Sequence, residues 1–281
     1  MIILLFLLLA LTFLGVCWKA ASILVAPANC HVGPSPDPPG LECVQFPSAS
    51  GGMISAWCRM TADSQAVVVM AHGLRGDRRK LLGRAELCLS QGFDVLLIDL
   101  QAHGESLGEK ITVGYRERHD IEAAVGYARQ RASGKRIGII GVSLGGAATV
   151  LASPLNVDAI VLESVYPTIF EAVSNRMNVR FGPLGRLLTF ALICQIRPRL
   201  GFPAAALRPI DHIRFVGCPV LILSGDQDRH TTSAESQRLF EAAAEPKEFV
   251  TFPGAGHSDL LAHRSDLYEN SVVRFLRSYL L

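Results

Sequence analysis

The sequence predicts an α/β fold, with a mostly parallel central sheet flanked by helices and a small helical insertion. Three observations carry this. Short apolar runs without polar alternation recur along the chain, as strands buried on both faces require. Helical patterns lie between them, which makes the repeating unit strand–helix–strand. The length of 281 residues, 49% of them hydrophobic, suffices for one large domain with a sizeable core.

The N-terminus comes first. Ile2 to Trp18 carries no charge, Lys19 interrupts, and Ala20 to Ala26 is again uncharged. A helix needs ~20 apolar residues to cross a bilayer, and a lysine near the end can snorkel to the interface. Residues 1–26 are therefore expected to form a single-pass membrane anchor. The alternative is a signal peptide and a secreted protein. Against it, no positive charge precedes the run, and the run exceeds the ~7–15 residues of a usual signal core. Residues 27–40 hold Pro27, Pro34, Pro36, Pro38 and Pro39 with Gly33 and Gly40. Such a segment favours an extended spacer over helix or central strand. It marks the start of the globular domain at 41–281. On this reading, removing residues 1–26 leaves activity intact.

The domain opens with Val44–Phe46 and Ile54–Trp57, read as a hairpin at one sheet edge. Apolar runs follow at 67–70, 95–98, 137–140, 159–162 and 220–223, then Phe249–Thr251. Helices are expected at Arg79–Gln91, Arg116–Arg131, Leu144–Ala152, Ser233–Ala244 and Ala262–Leu280. Residues 167–209 break the rhythm, with apolar pieces but no clear strand. The excursion is too long for an ordinary loop. It is expected to be a helical cap over the sheet's C-terminal edge, where insertions act as lids.

Composition excludes several functions. A net charge of +2, with no basic run interleaved with aromatics, does not suit nucleic acid. Seven cysteines, an odd number without a CxxC pair, argue against a disulfide framework or a zinc site.

The chemistry lies in four motifs. Gly141-Val142-Ser143-Leu144-Gly145-Gly146 follows an apolar strand and opens an Ala-rich helix. In that setting G-x-S-x-G is a nucleophile elbow, a sharp turn that needs small residues on either side of the serine. A serine hydroxyl needs a base. His257, in Gly254-Ala255-Gly256-His257 after the last strand, has the place and the room. The imidazole needs a carboxylate on its far nitrogen. Asp228, in Ser224-Gly225-Asp226-Gln227-Asp228, is preferred. Asp226 is read as a loop brace, and Glu163, ending the preceding strand, is a further candidate. A tetrahedral intermediate needs two aimed N–H donors. Leu144 supplies one and Leu74, in the loop His72-Gly73-Leu74-Arg75-Gly76, the other. His72 itself reads as structural.

Taken together, His72-Gly73, Asp99-Leu100-Gln101-Ala102-His103-Gly104-Glu105-Ser106, GVSLGG, GDQD and GAGH resemble the α/β-hydrolase superfamily over residues 42–281. The resemblance is to bacterial peptidase-S9-like and serine-aminopeptidase-like hydrolases with an N-terminal hydrophobic segment. It implies Ser143, Asp228 and His257 as a triad and no metal or organic cofactor. Gln101 and Ala102 depart from the pattern in a segment that shapes the site rim, which puts rim specificity in question.

The expected function is a serine hydrolase acting through an acyl-enzyme on Ser143. Its substrate would be a small molecule, an acyl compound or a short peptide. Two alternatives stand beside it: a membrane-tethered binding protein that kept the fold without turnover, and an acyltransferase using the same triad.

Overall fold

A computed structural model describes residues 2–36 and 40–281, with only the side chains of Leu4, Leu5 and Leu8 among the first ten. Asp37, Pro38 and Pro39 of the expected spacer lie outside the described residues.

The chain begins with α1 (Ile2–Val25), one continuous 24-residue helix. Among the described residues no helix is long and apolar enough to cross a membrane. Then come β1 (Ala28–Asn29), β2 (Glu42–Ser48), β3 (Gly52–Arg59), β4 (Ala66–Ala71) and α2 (Leu82–Ser90). After these follow β5 (Asp94–Ile98), β6 (His103–Gly104), α3 (Glu117–Arg131), β7 (Arg136–Val142), α4 (Leu144–Leu151) and β8 (Ala159–Glu163). The insertion holds α5 (Ile169–Phe181), α6 (Gly185–Ile193), α7 (Ile196–Leu200) and α8 (Pro209–His212). The domain closes with β9 (Val220–Gly225), α9 (Ser233–Ala242), β10 (Lys247–Phe252), α10 (Leu260–His263), α11 (Ser265–Tyr268) and α12 (Arg274–Leu280).

Eight strands form one sheet in the order β10-β9-β8-β7-β4-β5-β3-β2. All pairs are parallel except those of β3, which is antiparallel to β2 and to β5, so the expected hairpin does sit at an edge. Every residue of β4, β5, β8 and β9 is buried, which is why these runs lack polar alternation. One face packs on α3 and α4, the other on α2 and α12. The expected final helix is broken. Arg264 has extended geometry (φ −145°), and a π-helical turn at Glu269–Val273 separates α11 from α12. Asp259 caps α10 by accepting from the N–H groups of Leu261 and Ala262.

The insertion is helical, as expected. Thr168 caps α5 through the N–H of Glu171 at 3.2 Å. α5 and α6 approach closely because Gly185 has no side chain: a Cβ there would meet the backbone nitrogen of Asn178 at 2.6 Å.

The segment after α1 is not a free spacer over its first half. Ala28 pairs with His103 and Asn29 with Gly104. The Asn29 amide donates to the carbonyls of Gly104 (3.1 Å) and Ser106 (2.9 Å). Val32 and Gly33 N–H groups donate to Glu105 Oε1, and the Trp57 indole donates to Gly33 O at 3.1 Å. Backbone polar groups of an extended segment must find partners, and here they find them on the domain. Glu105 is in turn held by Arg78 at 2.5 Å, and Arg78 also pairs with the fully buried Asp99.

Candidate active site

Ser143 stands between β7 and α4 with φ +49° and ψ −105°, a conformation rare for a residue with a side chain. The turn closes tightly around it. A Cβ on Gly145 would sit 2.4 Å from the carbonyl oxygen of Ala71, and one on Gly141 would sit 2.6 Å from Gly146 Cα. Only glycine fits at either position, which is the physical content of the G-x-S-x-G spacing. Ser143 is nearly buried, with 6% of its surface exposed.

His257 reaches Ser143 from the loop after β10, with Nε2 3.4 Å from the hydroxyl oxygen. That is long for a hydrogen bond, as empty sites often are before substrate tightens them. The other ring nitrogen, Nδ1, lies 2.7 Å from Asp228 Oδ2. Asp228 Oδ1 accepts from the N–H groups of His230 (2.8 Å) and Thr231 (2.9 Å). Burial raises the pKa of this carboxyl, but the His257 contact and the two N–H donors outweigh it. The net pKa falls below the ordinary carboxylate value. Ser143, His257 and Asp228 are thus brought together in one relay.

The other acid candidates are engaged elsewhere. Asp226 accepts from the N–H of Gly254 at 2.7 Å and braces the loop that leads to His257. Glu163 forms a two-pronged pair with buried Arg84 (2.8 and 2.6 Å) and accepts from the Tyr268 hydroxyl at 2.5 Å. Arg84 also reaches Asp259, so it ties the end of β8 to the loop carrying His257.

The two expected donors flank the serine. Leu144 opens α4, where a first-turn N–H has no intrahelical acceptor. Leu74 lies on the loop packed against the elbow: a Cβ on Gly73 would touch Ser143 Cβ at 3.6 Å. Leu74 lines both hollows that meet at Ser143. His72 is fully buried. It accepts from the N–H of Leu100, sits 2.7 Å from Gly73 O, and is pushed by burial to a pKa of about 3. It is a neutral brace for this loop.

Gln101 and Ala102 line neither hollow. Both are buried, and the Gln101 amide donates to Glu117 at 2.6 Å. Ala102 has φ +60°, a position that favours glycine. The expected effect of these two residues on the site rim is therefore corrected: they pack beneath the site.

Ser143 sits where two hollows meet, one apolar and one of mixed lining. One is apolar, about 130 Å³, roofed by α5, α6 and α7 and lined by Val173, Met177, Leu192 and Ile196 among others. Ala21, Leu24 and Val25 of α1 also line it, so removing residues 1–26 takes away a wall. The other is a wider cleft of mixed lining, about 500 Å³, that holds Arg75, Lys80, His230 and His257.

These features fit a family that most of the chain matches. A model of the alpha/beta hydrolase family matches residues 68–269. The chain belongs to the alpha/beta hydrolase family. An uncharacterized protein of Mycobacterium tuberculosis is 32% identical over 224 residues, covering 76% of this chain. The match spans about two thirds (66%) of that relative's length. Lysophosphatidylserine lipase ABHD12 of Macaca fascicularis is 26% identical over 78% of this chain and 56% of its own. In fold, this hydrolase is similar to an esterase of Pyrococcus furiosus, with a TM-score of 0.74 and 21% identity over 92% of this chain and 100% of that one.

Two residues to which the sequence assigns no role border the site of this alpha/beta hydrolase. Arg176 on α5 borders both hollows, and among the described residues it has no carboxylate within ion-pair distance. Burial depresses its pKa. His230 stacks edge-on to His257 at 5.5 Å and has a buried Nδ1 without a partner. Arg176 sits in a segment without a motif, and His230 lies two residues beyond Asp228 of the GDQD motif. Only folding brings them to the serine.

Proposed function

We propose that this hydrolase cleaves carboxylic esters or thioesters of apolar acyl groups through an acyl-enzyme on Ser143. The observation that carries the reading is the position of Ser143 between an apolar hollow sized for an acyl group and a wider cleft that also holds charged side chains. His257 takes the serine proton as Oγ attacks the carbonyl, and Asp228 holds the imidazole and its positive charge. The N–H groups of Leu144 and Leu74 receive the oxyanion. His257 then returns the proton to the leaving alcohol or thiol, which departs through the wider cleft. Water, deprotonated by the same histidine, releases the acid. A relative named as a lysophosphatidylserine lipase and a fold shared with an esterase accord with this chemistry. The apolar lining suits an acyl chain better than a polar peptide.

The test is hydrolysis of p-nitrophenyl esters from acetate to octanoate by wild type and Ser143→Ala. The expected outcome is turnover that rises with chain length and vanishes in the variant. A folded wild type inert across the series would sink the esterase reading.

We also propose that α1 attaches the protein to a membrane. Leu4, Leu5, Leu8, Leu11 and Leu14 are each more than half exposed on it, and solvent-facing apolar rows of this kind mark interaction surfaces.

A further inference from the structure

The last turns of α1 are built into the acyl hollow, and the rest of the fold fastens them there. Arg199 of α7 lies 3.8 Å over the Trp18 ring and donates to Ser22 Oγ at 2.7 Å and to the Trp18 carbonyl. From the other side, Arg75 donates to the carbonyl oxygens of Ile23, in the last turn of α1, and of Ala26, just past it. The Val25 carbonyl accepts from the N–H of Ile111 at 2.8 Å. One of these arginines belongs to the cap and the other is the neighbour of Leu74. The helix end is therefore clamped between the cap and the loop that borders Ser143.

Clamped there, α1 presents side chains to the hollow. Ala21 is buried, at 5% exposure, and Leu24 and Val25 line the same space as Ser143 and Leu144. Opposite them stand Ile193 and Leu200 of the cap. A small residue at 21 leaves room that a larger one would fill. An apolar wall recognises length, because each methylene of an acyl chain gains burial only while there is room for it.

We infer that α1 is a specificity element of the hydrolase, with Ala21 and Leu24 setting the length of acyl chain the Ser143 site accepts. This rests on the esterase reading for its kinetic test but not for its binding test. The wall acts through the substrate's tail and leaves the serine, histidine and aspartate untouched.

The experiment uses the full chain in detergent, as Ala21→Phe and Leu24→Ala. The readout is the ratio of kcat/KM for p-nitrophenyl octanoate to that for acetate. Filling the hollow with Ala21→Phe lowers the ratio about tenfold, the scale of one to two methylenes in an apolar pocket, and Leu24→Ala moves the optimum to a longer chain. A ratio unchanged in both variants overturns the inference. A second readout needs no turnover: binding of a dansyl-labelled undecanoic acid to Ser143→Ala with and without Ala21→Phe. Weaker binding in the double variant supports the wall even where no ester is hydrolysed, which would then count against the esterase reading alone. Equal binding overturns the wall. A protein that neither binds this probe nor hydrolyses any ester overturns both.

Discussion

Single residues decide whether this site can work. Ser143 is held at positive φ by the absence of side chains at 141 and 145, and that strain aims its hydroxyl out of the turn. The two aspartates of the GDQD loop are chemically identical and differ only in what they touch. Asp228 meets the imidazole at 2.7 Å, whereas Asp226 meets a backbone N–H. Replacing Asp228 by Asn leaves the shape but favours the wrong tautomer of His257. We expect kcat to fall by about 10³–10⁴-fold, against a loss under about tenfold for Asp226→Asn. Steady-state kinetics of the two variants checks this, and similar losses in both would show that the carboxylate roles are wrongly divided. The sequence placed both acids in one loop. It favours Asp228 by its place after the turn, but the contact that separates the two depends on where the β10–α10 loop carries the histidine. Gln101 and Ala102 teach the converse: an unusual residue inside a motif can be answering to the core beneath it.

Elements bring these residues into register. The strands were legible because a parallel sheet covered on both faces demands unbroken apolar runs. The cap was legible as an interruption in that rhythm, though not its helix boundaries or its contribution of Arg176. The C-terminal helix was misread as continuous, since nothing local in its pattern announces the break at Arg264. The proline-rich segment was read from composition as a spacer, but its backbone N–H groups find acceptors on Glu105, a long-range pairing invisible in the sequence. α1 shows the same limit. Its apolar character was plain, yet its last turns face the Ser143 hollow as well as the outside. For the membrane role of α1, the full chain should float with phosphatidylcholine–phosphatidylglycerol vesicles in a density gradient, and residues 27–281 should stay at the bottom. A full chain that remains at the bottom would remove the membrane role.

The whole molecule is a scaffold that converges several distant segments on one point. The loops after β4 and β7 bring Leu74, Ser143 and Leu144. The loops after β9 and β10 bring Asp228 and His257. All leave the same, C-terminal edge of the parallel strands, where open α/β sheets place their sites. The buried network of Arg84 with Glu163, Tyr268 and Asp259 joins this edge to the C-terminal helices. The order of the motifs along the chain made the serine, the base and the preferred acid readable. The two hollows were not readable, because their walls come from α1, the cap and six separate loops.

The claim on which all else rests is that Ser143 is an activated nucleophile. Intact-mass analysis of the full chain treated with a fluorophosphonate measures this directly. The account predicts one phosphonyl adduct on wild type, mapped to Ser143 by peptide analysis, and no adduct on Ser143→Ala or His257→Ala. A folded wild type that takes no label, or a label that persists in Ser143→Ala, would contradict it.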